Sequence, residues 1–436
     1  MGSNNHLRRE ISVFGLSANI VNTVIGAGIF VLPALVTGVL GNLSVVAYLV
    51  CGILIMLIML NFAEIGSKIT VSGGAYSYIE IVLGRYPGFL AAFLFLMSTI
   101  SADAAVANSI ADVAGSLVPF MQAPVARIIL FLLIFSVLGY INIRGVKEGI
   151  GFVKMITLAK IIPLVFILLM GMKDITFSEM AVDSFLSISK IGEASLILFF
   201  AFIGAESALS VSGEVRNPQK NVPKAIIYSI LFVLLLYVFI QLISQAILGP
   251  ALAETKENTL GYVANAIVGP IGLTLLSVGA GVSMFGNLSS EILSIPRVLY
   301  AAAKDRLIPV TILSRIHPKF ATPFVAIIVY VVLDFVAASV GGFKQLILLS
   351  SASVLLIYLG VVVAVIKLRL KNKKPDSKAG FRVPGGLVIP VFTVLIIVWV
   401  VSNLQWNELV VVSLFIVLLS MIYLIVHTKL LTKKWR

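Results

Sequence analysis

Apolar residues along this chain fall in long blocks, and polar residues gather in the short stretches between them. The blocks lie near residues 11–37, 43–65, 88–117, 124–142, 150–172, 192–212, 225–249, 271–301, 323–341, 345–367, 386–403 and 408–428. A helix crossing the hydrocarbon core of a bilayer needs about 20 mostly apolar residues, and each block is of that order. The pattern predicts an all-α multi-pass membrane protein with twelve spans, tails at 1–10 and 429–436, and no separate soluble domain. Arg8 and Arg9 ahead of apolar sequence imitate a secretory signal, but no cleavage site of the small-x-small kind precedes a polar mature chain. The first block therefore reads as an uncleaved span.

Composition sharpens this. Of 436 residues, 60% are hydrophobic and 12% charged, against about 25% charged in a soluble domain. The net charge of +13 would suggest nucleic acid in a soluble protein. With the N-terminus placed in the cytoplasm, however, 26 of the 32 Lys and Arg residues fall in or beside cytoplasmic segments. The positive-inside rule accounts for that excess and puts both termini in the cytoplasm of a cell membrane protein, so no nucleic-acid partner is needed. The single cysteine, Cys51, excludes an internal disulfide, and His6, His317 and His427 all sit in polar flanks. Neither a metal cluster nor a cofactor is expected, and without a buried histidine an enzymatic site is not expected either. No phosphate-binding loop is present to couple the chain to ATP.

Two spans are interrupted. The first carries Gly26-Ala27-Gly28 in its middle, after Thr23 and before Pro33, and the sixth carries Phe202-Ile203-Gly204-Ala205-Glu206-Ser207. One such glycine cluster alone can be a close-packing face. A pair of interrupted spans in corresponding halves points instead to a transporter site. Half-helix N-termini offer N–H groups to a carboxylate, and freed carbonyls receive an ammonium, so together they suit a zwitterion such as an α-amino acid.

These residues carry a resemblance. Asn22 to Phe30 with Leu32-Pro33-Ala34, Ser72-Gly73-Gly74-Ala75-Tyr76-Ser77-Tyr78, Glu214-Val215-Arg216-Asn217-Pro218, Ala303 to Pro309 and Phe381-Arg382-Val383-Pro384 stand in the order seen in amino acid–polyamine–organocation transporters. The resemblance spans nearly the whole chain. It implies the leucine-transporter fold, with spans 1–5 (residues 11–172) and 6–10 (192–367) as inverted repeats and spans 11–12 (386–428) outside them. The sixth-span order Phe-Ile-Gly-x-Glu-Ser is similar to that of bacterial arginine/agmatine antiporters.

Ionisable residues at bilayer depth cost roughly 2.5–3.5 kcal/mol each on insertion scales, so each is a functional candidate. Lys160 lies centrally in span 5; the resemblance implies that its ammonium stands where sodium-coupled relatives bind an ion, which makes transport sodium-independent. Glu206 either caps the break in span 6 or takes part in substrate or proton gating. Against the arginine/agmatine antiporters, Glu291 on span 8 replaces a pocket tryptophan, Asp103 on span 3 lies near a pocket asparagine, and Phe200 replaces another aromatic. Two acids in one pocket suggest a second positive charge on the substrate, unless Asp103 pairs with Lys160 or a serine-rich wall and Glu291 faces a vestibule. Asp112 is expected near the outer end of span 3, and Asp334 on span 9 reads as peripheral, with no assignable partner.

The expected substrate-binding residues are Val24, Gly26, Ala27, Gly28, Asp103, Phe200, Ile203, Gly204, Glu206, Glu291 and Ser353, with Lys160, Glu206 and Phe202 in coupling or gating. The sequence reading is a sodium-independent secondary transporter, an antiporter or proton-coupled permease working by alternating access, leaning to cationic amino acids or their diamine products. A neutral amino acid permease or exchanger is the alternative, and a channel or non-transporting sensor the alternative of another class. Protons and a second copy in a homodimer stay open as partners.

Overall fold

A computed structural model describes residues 12–69, 74–144, 150–174, 187–208, 215–255, 258–304, 307, 310–371 and 381–433. The tail 1–10 and the motif positions Ser72, Gly73, Glu214, Asp305, Arg306, Ile308 and Pro309 lie outside them.

All the elements are helical. Span 1 divides into α1 (Val13–Val24) and α2 (Gly28–Leu40), followed by α3 (Ser44–Lys68), a short α4 (Gly74–Leu83), α5 (Arg85–Leu117), α6 (Pro124–Arg144) and α7 (Ile150–Gly171). Span 6 divides likewise. It runs as α8 (Ile188–Phe199), a 3₁₀ turn at Phe200–Phe202 and α9 (Ala205–Ala208). Then come α10 (Pro218–Leu248), a short α11 (Thr259–Val268), α12 (Pro270–Lys304), α13 (Phe324–Val340), α14 (Phe343–Lys371), α15 (Val388–Val401) and α16 (Trp406–Lys433). The stretch expected as a C-terminal tail from 429 is thus helical as far as Lys433.

Local chemistry sets the ends. The Ser12 hydroxyl accepts from the Gly15 N–H at 3.1 Å, capping α1. Pro124 and Pro270 open α6 and α12 in the first turn, where the N–H that proline lacks would have no partner within the helix. Among the described residues, seven helical stretches are long and apolar enough to cross a bilayer. Leu132 and Leu133 on α6, Val332 on α13 and Leu414 on α16 are exposed, as suits side chains that meet lipid tails.

Packing partners recur in reciprocal pairs. α1 lies on α10 as α3 lies on α8; α5 lies on α14 as α12 lies on α7; α13 lies on α5 as α6 lies on α12. The pairs α3 with α10, α5 with α12 and α6 with α13 are also in contact, while α15 and α16 pack on the outside, on α14 and its neighbours.

A buried ion pair ties three segments at one end of the bundle. Arg369 of α14 donates from Nε to Glu64 Oε1 of α3 at 2.9 Å and from Nη2 to Glu64 Oε2. Its Nη2 also reaches the Val383 carbonyl at 3.0 Å, and the Val383 N–H donates to Glu64 Oε2 at 2.9 Å. Lys68 adds a further donor to Glu64 at 2.8 Å. Arg369 thus has a structural role beyond its place in a basic tract.

Candidate substrate site

α1 stops at Val24 because Ile25 turns extended (φ −74°, ψ 93°), and Gly28 starts α2 three residues later. In span 6 the 3₁₀ turn leads into extended Ile203 (φ −64°, ψ 146°) and then Gly204 at φ +108°, a conformation that L side chains rarely adopt. The two breaks interlock. A Cβ on Gly28 would stand 2.9 Å from the Ala201 Cα, and one on Gly204 would stand 2.8 Å from the Thr23 carbonyl oxygen. Each glycine of one break therefore lets the backbone of the other approach.

Backbone groups freed by the breaks find partners. The Tyr237 hydroxyl of α10 lies 3.1 Å from the Ala201 carbonyl and 3.4 Å from that of Val24, so one side chain serves both breaks. Lys160, 3% exposed, donates from Nζ to the Asn22 carbonyl at 3.0 Å near the end of α1. Glu206 Oε2 accepts from the Gly204 N–H at 3.1 Å and from the Tyr358 hydroxyl of α14. It therefore caps the break while also facing the cavity.

That cavity lies between the breaks, α5 and α12. Val24, Gly26, Ala27, Gly28, Asp103, Phe200, Ile203, Gly204, Glu206 and Glu291 line it, joined by Thr23, Thr99, Ala102, Val106 and Asn287. About 50 Å³ is open to water-sized molecules, room for a few at roughly 10–15 Å³ each. Asp103 is buried and accepts from the Tyr330 hydroxyl of α13 at 2.9 Å. The alternative pairing of Asp103 with Lys160 is not the contact found, because the lysine donates to the Asn22 carbonyl of α1.

Three expected site residues stand off the cavity. Ser353 turns its hydroxyl back to the Leu349 carbonyl of its own helix at 2.8 Å. Phe202 is buried against Tyr237, ring centroids 5.3 Å apart. Lys160 acts from behind α1, through its hydrogen bond to the Asn22 carbonyl. Of Phe200 and Phe202 only Phe200 lies in the cavity wall, its ring edge-on to Phe343 at 6.1 Å. Asn287 and Tyr237 were not legible in the sequence. An amide amid small residues and a mid-span tyrosine carry no spacing signal, and only the fold brings them to the breaks. Asp334 corrects an expectation, since it is fully buried on the face of α13 toward α5.

The family model described as amino acid permease matches residues 11–427. The chain belongs to the amino acid permease family. It is similar to the serine/threonine exchanger SteT of Bacillus subtilis (strain 168), 31% identical over 400 residues that cover 89% of this chain and 90% of that one. The branched-chain amino acid permease BcaP of the same organism is 26% identical over 423 residues, 93% of this chain and 90% of BcaP. The large neutral amino acids transporter small subunit 2 of Oryctolagus cuniculus is 27% identical over 430 residues, 93% of this chain and 77% of that protein. This permease is therefore a multi-pass secondary transporter of amino acids of the amino acid–polyamine–organocation superfamily, and not an enzyme. The expected kinship with arginine/agmatine antiporters in particular gives way, since these relatives are named for neutral amino acids. Nothing supports a polyamine as substrate.

Proposed function

We propose that the protein is a sodium-independent exchanger or permease of small neutral amino acids that works by alternating access. The interlocked breaks carry this reading. At the start of α2 the Phe30 N–H bonds back to the Ala27 carbonyl at 3.0 Å, which leaves the N–H groups of Gly28, in the cavity wall, and Ile29 to suit the substrate carboxylate. The Thr23 carbonyl at the end of α1, which lies against Gly204 beside the cavity, suits its ammonium. The narrow space between Phe200, Asn287 and Glu291 suits a short side chain.

A distal ammonium, as in lysine or a diamine, would need a free carboxylate. Asp103 already accepts from Tyr330, and Lys160 already sits in the field of Glu291. SteT, BcaP and the large neutral amino acids transporter small subunit 2 are named for neutral amino acids too. Lys160 is a fixed ammonium bracing α1, the place a bound cation would otherwise take. Phe200 is the occluding ring. The reciprocal packing pairs support two inverted five-span repeats, residues 11–172 and 192–367, within a twelve-span leucine-transporter fold, with spans 11–12 outside. The distribution of Lys and Arg supports cytoplasmic termini.

A competition panel on purified protein in sodium-free proteoliposomes tests the substrate class. Labelled L-serine uptake should be suppressed by serine, threonine and alanine and left intact by lysine, arginine and putrescine. Suppression by the cationic set alone would return the site to the cationic reading.

A further inference from the structure

The connection between α12 and α13 carries apolar and basic side chains together at its surface. A 3₁₀ turn at Thr311–Ser314 seats Leu313 in a small cluster with Leu299, Ala302 and Ala303 of α12 and Ala326 of α13. With that side chain turned in, its neighbours turn out. Val310, Ile312 and Ile316 are 45%, 47% and 51% exposed, and Arg315 and Lys319 in the same stretch are exposed as well. From residue 306 to residue 333 the sequence holds Arg306, Arg315 and Lys319 and neither Asp nor Glu.

The turn that follows is fixed by its own bonds. The His317 N–H donates to the Thr322 carbonyl at 2.8 Å, and its Nδ1 accepts from the N–H groups of Lys319 and Phe320 at 3.2 and 3.3 Å. Its ring stacks on Phe320 and stands edge-on to Phe324, with centroids 4.7 and 5.5 Å apart. The Thr322 hydroxyl donates to the Ile143 carbonyl at 2.7 Å, which brings the end of α6, and with it Arg144, alongside. The Arg144 guanidinium lies 4.8 Å over the ring of Tyr140, an exposed residue one turn earlier. Among the described residues no carboxylate forms an ion pair with Arg144, Arg315 or Lys319.

Water is a poor cover for three exposed aliphatic side chains, and a layer of lipid headgroups is a good one. In a segment lying in the bilayer interface the apolar groups enter the acyl boundary, the cations meet phosphate, and an aromatic ring sits at headgroup level. The apolar surface continues onto α13 at Ile328 and Val332, whose side chains are exposed in the manner of lipid-facing residues. On the cytoplasmic placement proposed above, this end of the bundle meets an anionic leaflet. We propose that the α12–α13 connection and the end of α6 form a docking surface for an anionic phospholipid. Val310, Ile312 and Ile316 lie among its acyl chains, and Arg144, Arg315 and Lys319 meet its phosphodiester.

The test needs no transport. The full-length protein in a non-ionic detergent is titrated with phosphatidylglycerol, phosphatidylcholine or inorganic phosphate, and its thermal midpoint is followed. Phosphatidylglycerol should raise the midpoint of wild type, and the other two at the same concentrations should not. Arg315→Gln combined with Lys319→Gln should need about thirtyfold more phosphatidylglycerol for the same rise, since each basic residue at an anionic surface is worth about fivefold in affinity. Lys367→Gln combined with Lys371→Gln removes the same charge at the end of α14 and should leave the titration as in wild type. Ile312→Ser combined with Ile316→Ser keeps every cation and should weaken the response to phosphatidylglycerol as well. Equal loss in the two charge variants would make the effect one of overall charge and overturn the proposal. So would a titration of the Arg315 and Lys319 variant that matches wild type, an unweakened response in the Ile312 and Ile316 variant, or a wild type stabilised as much by phosphatidylcholine or by phosphate.

Discussion

Tyr237 bridges the two breaks with a single hydroxyl, the shorter contact being to Ala201. Tyr237→Phe leaves a buried carbonyl without its donor, at a cost of roughly 1–3 kcal/mol, and should lower the thermal midpoint of the detergent-solubilised protein. Gly204 holds φ +108° with the Thr23 carbonyl against its α-hydrogen. Gly204→Ala should cost about 1–3 kcal/mol in strain and remove serine exchange, read as labelled counterflow. Lys160 donates a charged hydrogen bond to Asn22, a contact worth about 1.5–3 kcal/mol. Lys160→Met should therefore slow exchange by one to two orders of magnitude, and added sodium should not restore it. Full activity in that variant would remove its bracing role.

At this scale the sequence was legible where a residue type is costly or conformationally special. Gly26, Gly28, Gly204, Lys160, Asp103 and Glu206 stand out because lipid tolerates neither broken backbone nor charge without cause. Asn287, Thr23 and Thr99 also line the cavity but cost little anywhere in a helix. Ser353 failed the other way. A serine in a span satisfies itself on the carbonyl four residues back, as it does with Leu349, without marking a path.

Among the elements, the breaks are paired because each needs the other. Gly28 at the start of α2 leaves the space that the Ala201 backbone occupies, and Gly204 ahead of α9 leaves room for Thr23. Helix existence was legible from the apolar blocks, and the interruptions from glycine and polar residues inside them. The short helices α4 and α11 were not, because each is too brief to register as a span and lies at its edge. Nor was the tie between α3, α14 and Val383, whose residues are 305 and 14 positions apart along the chain. Removing one partner of a buried pair costs about 3–5 kcal/mol. Arg369→Ala should thus lower the thermal midpoint far more than substitution of Lys344, whose bond to Glu193 is exposed. Equal, small effects would mean that water already screens the Glu64 site.

For the whole molecule, hydropathy and the distribution of basic residues outlined the bundle before any contact was known, because lipid dictates both. Substrate class was not written at that level. Counting two acids in the pocket suggested a cationic substrate, but the count omitted Tyr330, which engages Asp103, and the electrostatic effect of Lys160 on Glu291. A charge total predicts a ligand only once each charge has its partner assigned, and those partners came from α7 and α13. The proposal that the interlocked breaks hold a zwitterion by backbone groups is the centre of the account. Trans-stimulation tests it most directly: proteoliposomes preloaded with serine, lysine or putrescine are given labelled L-serine outside, without sodium. Internal serine should accelerate entry while internal lysine and putrescine leave it at the level of empty vesicles. Acceleration by lysine or putrescine, with none by serine, would contradict the account.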